Sequence, residues 1–465
     1  MTIDNDVPEL LIVGARTQLG QGWANNEHRL VALDKMTRQP IEVNWSYEDS
    51  PEDIVTAVAF TDTRPDQRLL ANSSKYIRGS LINKSNIGGN ASSFAAIMDN
   101  GKVVAWGFNG EAGITPTSTF NHDVIKLYGG IEITSIGINN EKRIFSWSKT
   151  SNDSIPLEIS ALNDIVVAKT FNSYGYNTRV FLALRENKQI VQWEDGNWPW
   201  PLPLNIAEMK DIVAIEASDG AFAAIKENGH LIASGDPAYG GELPAHLQDV
   251  SDACAIFANN KAFVSLHQSG KVSAWGDENH GGTLPADIAI LNDIISVHPY
   301  YHGFVALREN HSIVEWGSTV NDYMKISPEI SSKTDILDVQ IALNGSGAIL
   351  LPEGKVAHWG ATKDNSHYIP LPDNVDNVVS LCAAPDAFAV IKRDGTVIAW
   401  GHPDQGGNIS PVADELYNIR AIYSSTYGFC AIRDDGQIIT WGDNEREVNV
   451  YAIPPELQNN LTYAW

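Results

Sequence analysis

Residues 261–276 read KAFVSLHQSGKVSAWG, and this stretch decides the fold. An apolar run, a short polar turn and a second apolar run end on Trp275-Gly276. The arrangement returns as SSFAAIMDNGKVVAWG at 92–107, HGFVALRENHSIVEWG at 302–317, DAFAVIKRDGTVIAWG at 386–401 and YGFCAIRDDGQIITWG at 427–442. GAFAAIKENGHLIASG at 220–235 is the same unit with Ser234 in the tryptophan's place. Looser copies put Trp147, Trp193 and Trp359 at that point. The markers stand at 106, 147, 193, 234, 275, 316, 359, 400 and 441, with intervals of 41, 46, 41, 41, 41, 43, 41 and 41. The interval of 46 reflects extra residues around 172–178.

Each unit reads as short strands. The turns Asn100-Gly101, Asn228-Gly229, Asp394-Gly395 and Asp435-Gly436 are hairpin signals, expected as type I′ turns with positive φ at both central residues. Phe94, Phe222, Phe263, Phe304, Phe388 and Phe429 each stand twelve residues before the marker, so Phe and Trp are expected at equivalent core sites. Helical periodicity is nearly absent; ELPAHLQD and PADIAILND hold at most one turn each. Three or four short strands repeating at about 41 residues match a propeller blade. Bending a stack of blades into a ring leaves only short, protected edges. The sequence therefore predicts an all-β fold, a β-propeller of about 41-residue blades with nine or more repeat markers.

Residues 1–90 form irregular repeats that take part in ring closure, with Trp45 as a worn marker; 91–465 carry the regular propeller repeats. Trp465 is expected to end a strand completing a blade begun at the N-terminus. A chain of 465 residues exceeds what one ordinary core serves, and a repeat array resolves this because each unit packs on its neighbours. Apolar residues make up 43% of the chain, enough for a core. The net charge of −25 argues against nucleic acid and against an anionic membrane surface, both of which need clustered positive charge. Three cysteines (Cys254, Cys382 and Cys430) with no CxxC pair signal neither a disulfide framework nor a zinc site. The N-terminus lacks the basic start and long apolar stretch of a secretory signal, and no apolar run is long enough to span a membrane. A cytoplasmic protein, or one exported without a cleavable signal peptide, is expected.

The pattern F-x-x-x-x-x-[DEN]-G-x-[VI]-x-x-W-G followed by a Gly-Gly loop resembles the regulator of chromosome condensation family of β-propellers. The resemblance covers about residues 91–450 and is poor over 1–90. It implies a propeller that binds other molecules. Members of the family close at seven blades, whereas this chain carries nine markers. The eukaryotic founder is a guanine-nucleotide exchange factor that docks on chromatin; no basic tail appears here. The compact unit is more similar to the bacterial type, such as β-lactamase inhibitor protein II, which blocks an enzyme with its rim, and to toxin-associated proteins. The expected function is non-catalytic recognition of a protein partner. A carbohydrate-binding lectin and a nucleotide exchange factor are the alternatives.

No GxSxG, HExxH, P-loop or dinucleotide motif occurs, and neither a catalytic residue, a metal nor a cofactor is expected. Recognition is sought where the frame holds and the side chain varies. The fifth residue after the marker is Glu111, Asn152, Trp198, Tyr239, His280, Asn321, Asp364, Gln405 and Arg446 in turn. Trp198, Trp200, Tyr239, His280, Gln405 and Arg446 are the candidate binding residues. Trp198-Pro199-Trp200 replaces the Gly-Gly of other loops, and tryptophan is enriched at binding hot spots. The competing expectation is that Trp198 and Trp200 fill a gap. Tyr300-Tyr301-His302 forms a second aromatic cluster. Asp236 and Asp277 are expected to cap turns in preference to binding calcium. His280, His302 and His311 are expected to be spread over separate loops.

Overall fold

A computed structural model describes residues 9–16, 28–64, 67–72, 75–77, 81–85, 92–98, 100–107, 115–129, 135–147, 155–173, 178–317, 325–360, 369–373, 375–425, 427–442 and 453–457. They form eleven antiparallel sheets with only single-turn helices between them. Nine are three-stranded blades, one per marker, at 81–107, 124–147, 165–195, 212–235, 253–276, 294–317, 338–359, 378–401 and 419–442. Consecutive blades pack in chain order, and the first strand of blade nine (Ile419–Ser425) lies against the first strand of blade one (Leu81–Ser85). The stack thus closes into a propeller. The extra residues of blade three lengthen its strands: Ile165–Ser173 and Thr178–Arg185 pair as far as Ser173 opposite Thr178.

The repeated Phe and Trp face each other across the second and third strands. Phe263 is in register with Trp275, their rings stacked at 5.3 Å. The same stack occurs at Phe94–Trp106, Phe304–Trp316, Phe388–Trp400 and Phe429–Trp441, at 5.3–5.6 Å. Phe181–Trp193 adds a sixth at 5.2 Å. Where the phenylalanine is missing, the strand adapts. Gly347 stands opposite Trp359, whose ring occupies the space a side chain would need.

The Gly-Gly loops link this stack to the preceding blade. Gly240, Gly281 and Gly406 adopt φ of 86–96° and lie on the faces of Phe263, Phe304 and Phe429 in the next blade. Their carbonyls accept hydrogen bonds from the Trp275, Trp316 and Trp441 indoles at 2.8–3.1 Å. Glycine is needed on two counts, the left-handed backbone and the close approach of a ring.

The hairpin ends carry a second link. The carbonyls of Gly101, Lys142, Lys188, Gly229, Gly270, His311, Glu353 and Gly395 accept from the N–H groups of Val124, Ile165, Ile212, Ala253, Ile294, Ile336, Asn377 and Ile419, at 2.8–3.2 Å. Each acceptor has positive φ. This corrects the turn expectation: Asn100, Asn228, Asp394 and Asp435 do not have positive φ, only the residue after each does. Gly229 N–H donates to the Lys226 carbonyl and Lys226 N–H to the His230 carbonyl, giving a three-residue loop with one left-handed residue. The Asn or Asp earns its place differently. Its side-chain oxygen accepts the N–H two residues on, as Asn228 does from His230 and Asp394 from Thr396.

The two N-terminal sheets pack on the closure. One holds Leu10–Val13, His28–Asp34 and Ala59–Asp62; the other holds Val43–Tyr47, Ser50–Ala57, Leu69–Ala71 and Lys75–Ile77. Leu10, Ile12, Leu30 and Ala32 share a cluster with Trp45 and Leu69, with Phe94 and Trp106 of blade one, and with Cys430 and Ile432 of blade nine. Leu11, Val13, Val31 and Leu33 join blades eight and nine. Gly14 N–H donates to the Arg420 carbonyl of blade nine at 2.8 Å. The fully buried Arg16 and Asp62 pair at 2.6 Å, and Tyr47 donates its hydroxyl to Asp62 at 2.8 Å. Trp465 lies outside the described residues. Among the described residues no helix is long and apolar enough to cross a membrane.

A methyl group on Gly406 would stand 2.5 Å from the Phe429 ring. Gly406→Ala is therefore expected to lower stability by about 2–4 kcal/mol in denaturant unfolding, through backbone strain plus overpacking. A pH effect comes from blade six. His298 is 2% exposed, its Nε2 is 2.9 Å from Ser296 Oγ, and burial pushes its pKa down to about 4. The unfolded histidine titrates near 6.5, so below that pH the unfolded chain takes up a proton the folded chain refuses. This contribution is intact above pH ~6.5 and falls by up to about 3 kcal/mol towards pH ~4. His298→Gln should flatten that part of the stability–pH curve; an unchanged curve would assign the acid sensitivity elsewhere.

Candidate recognition rim

Each blade has two ends. One carries the hairpin turns that bond to the next blade. The other gathers the turn between first and second strands with the loop after Trp-Gly. The candidate residues that the structure describes lie at this second end.

Their loops are shaped by capping. Asp236 accepts from Ala238 N–H at 2.9 Å and Asp277 from Asn279 N–H at 2.8 Å, each opening one 3₁₀ turn. In blade eight His402 Nδ1 takes that role, accepting from Asp404 N–H at 3.2 Å. These are the capped turns the sequence suggested.

The loops hold the fifth-position residues at the junctions between blades. Tyr239 lies over Gly220, where a side chain would collide with its ring, and Lys261 Nζ of the next blade stands 5.6 Å from the Tyr239 ring centre. His280 is 9% exposed, and its Nδ1 is 3.1 Å from Asp277 Oδ1. The His280 carbonyl accepts from Asn259 Nδ2 at 2.7 Å. The three histidines stand on separate loops, as expected, but two of them meet in space. His280 and His302 rings are 5.1 Å apart, with Tyr301 4.6 Å from His302 and 6.1 Å from His280. Adjacent blades bring the loop of one beside the turn of the next, so residues on different loops meet. His311 lies apart, at a hairpin turn, with Nδ1 3.1 Å from the Ile336 carbonyl.

Beneath this arc lie Asp219 and Asn260, 5% and 1% exposed. Asp219 N–H donates to the Asn260 carbonyl at 3.0 Å. Asp219 Oδ1 and Asn260 Oδ1 are both buried without a hydrogen-bond partner. Burial pushes the Asp219 carboxyl well above the usual range, against the opposing charge of Lys261. Burial, then the charges of His280 and Lys261, lower the His302 pKa. Burial raises the Tyr301 phenol, helped by Asp219 and opposed by a hydrogen bond with Asn260. Asp277 resists burial: contacts with His280, Asn279 N–H and Lys261 hold it below the ordinary value. The charged form of His302 is thus disfavoured, and the Lys261 Nζ stands beside the Tyr239 ring. The arc offers hydrogen-bond donors, stacking faces and one cation. Among the described residues no group of three His, Cys, Asp or Glu is placed to hold a metal ion.

Trp198 is 7% exposed, meets Phe171 edge-on at 5.4 Å and shares a cluster with Phe222. Phe222 is opposite Ser234, the one marker that is not tryptophan. The loop tryptophan is thus buried in the apolar cluster shared by blades three and four, the latter being the blade whose marker is serine. Trp200 is 36% exposed, and its carbonyl accepts from Gln192 Nε2 at 3.3 Å. Gln405 is half-buried, and its Oε1 has no hydrogen-bond partner. Glu111, Asn152, Asn321, Asp364 and Arg446 lie outside the described residues.

No protein-family model and no curated protein matches this sequence. Among solved structures, the chain is similar to Prp20p from Saccharomyces cerevisiae, whose binding to Gsp1p and histones has been described. The TM-score is 0.36 at 16% identity, over 60% of this chain and 72% of that one. It is also similar to the computationally designed Ika8 protein (TM-score 0.37, 13% identity, 66% and 93% covered) and to the BP39L lectin from Burkholderia pseudomallei (0.34, 10%, 70% and 97%). These likenesses are weak, and function rests on the side chains.

Trp198→Ala is expected to cost about 3–5 kcal/mol in denaturant unfolding. Trp200→Ala should stay within roughly 0.5 kcal/mol. Restoring a marker with Ser234→Trp in the Trp198→Ala background should recover part of the loss. Equal effects of the two single changes would refute the gap-filling role.

Proposed function

We propose that the chain is a non-catalytic binding scaffold that recognises a protein partner through the rim of blades four to six. The observation that carries this reading is the arc Tyr239–Lys261–His280–His302–Tyr301 on a rigid frame, above two buried acceptor oxygens without partners. Half-buried aromatic side chains held by packing lose little entropy on binding. The variety of side chains at the fifth positions, eight residue types over nine positions, suits an irregular protein surface better than a repeated sugar. The net charge of −25 favours a partner presenting basic groups. The sequence resemblance to bacterial propellers supports an inhibitor, effector or toxin-associated role. Nothing in this reading requires a nucleophile or a cofactor.

The test compares capture by the wild-type chain, Tyr239→Ala/Tyr301→Ala and Trp200→Ala. A protein retained by the first, lost by the double variant and kept by the Trp200 variant supports the proposal. Each tyrosine should contribute about 2 kcal/mol if it is a hot spot. Capture indifferent to the double variant refutes this rim as the site. Multivalent binding on a glycan array would favour a lectin, and accelerated nucleotide release from a small GTPase would favour an exchange factor.

A further inference from the structure

The hairpin-turn end holds a second candidate site, independent of the recognition rim. A cleft of about 250 Å³ lies between the N-terminal segment at 37–39 and the hairpin of blade eight. Arg38, Lys392 and Arg393 line it together with Gln39, Asn377 and Asp394. The lining itself holds three cations and one carboxylate, with Asp434 and Asp376 paired to it from outside.

The carboxylates nearby do not use up this charge. Asp394 accepts from Thr396 N–H and Oγ1, at 2.9 and 2.6 Å, within its own turn. Asp434 pairs with Arg38 Nη2 at 3.1 Å, leaving Arg38 Nη1 buried with no partner. Lys392 Nζ is 3.6 Å from the exposed Asp376, an ion pair too long for a hydrogen bond. Arg393 Nε is also buried without a partner. Each side of the cleft thus has one guanidinium with an unused buried donor, and an ammonium group stands between hydrophilic side chains. Buried donors normally find acceptors, and those of guanidinium groups match the oxygens of a phosphate or carboxylate. A cleft of this volume has room for such a group and part of the molecule that carries it.

We propose that this cleft binds an oxyanion of the phosphate or carboxylate type, bridging Arg38 of the N-terminal segment and Arg393 of blade eight. Such a ligand would tie the N-terminal sheet to the ring near its closure. Binding to the folded chain alone would then raise its stability.

The full chain is titrated with sodium phosphate, sodium acetate and sodium chloride at matched ionic strength, followed by calorimetry and thermal unfolding. Phosphate is expected to bind at one site and raise the unfolding midpoint, whereas chloride should not. Acetate binding as tightly as phosphate would support a carboxylate as the ligand. Arg393→Gln should weaken binding about tenfold or more, the loss expected for a charged hydrogen bond. Lys392→Gln should weaken it less. Both positions lie outside the Arg38–Asp434 pair, so folding is expected to survive. No response to either oxyanion, or an unchanged response in both variants, would overturn the proposal.

Discussion

An N–H at the start of the first strand of a blade, or one or two residues before it, donates to the carbonyl at the hairpin turn of the blade before it. This bond occurs at all eight consecutive junctions, and the other elements are arranged around it. A carbonyl can point sideways out of its own hairpin only if its residue adopts left-handed backbone. That requirement selects Gly101, Gly229, Gly270 and Gly395, and it is met under strain by Lys142, Lys188, His311 and Glu353. At Gly229 and Gly270 an added side chain would also strike the next blade, within 2.4 Å of Ser251 and Asn292 backbone. Each turn therefore sets the position of the following blade as well as its own register.

At the opposite end the constraint is looser and chemically richer. The indole bond to a Gly-Gly carbonyl is made by Trp275, Trp316 and Trp441. Before Trp147, Trp193 and Trp400 the preceding loop has no Gly-Gly pair and the indole N–H is buried without a partner, whereas Trp359, also without that pair, donates to the Gly345 carbonyl of its own blade. Loop sequence can thus vary at modest cost, since the hairpin end already fixes each blade. The two ends differ in kind: one stitches the ring, and the other gathers Tyr239, Lys261, His280, Tyr301 and His302 on loops whose sequence is less constrained.

The blades were legible because their periodicity is a packing requirement. A Phe and a Trp twelve residues apart around a tight turn must face each other across two strands, and they do. Residues 10–77 were less legible because their two sheets draw on a cluster shared with both ends of the ring, which no local period reports. The hairpin turns were misread because Asn-Gly serves two turn geometries, and the choice depends on loop length. Trp198 read equally as a binding contact and as a gap-filler, and the serine marker of the blade it packs on, Ser234, lies 36 residues later. His280 with His302, and Asp219 with Lys261, belong to neighbouring blades. Their approach follows from the angle between blades, which sequence spacing does not contain. Asp219, in a plain Ser-Asp-Gly turn, gave no signal in the sequence.

Amide hydrogen exchange by NMR tests the stitched ring most directly. The account predicts that the N–H groups of Ile212, Ala253, Ile294, Asn377 and Ile419 exchange as slowly as the central strand of each blade, opening only with global unfolding. Fast exchange at these positions, with the strands on either side still protected, would show that neighbouring blades are held by side chains alone and would contradict it.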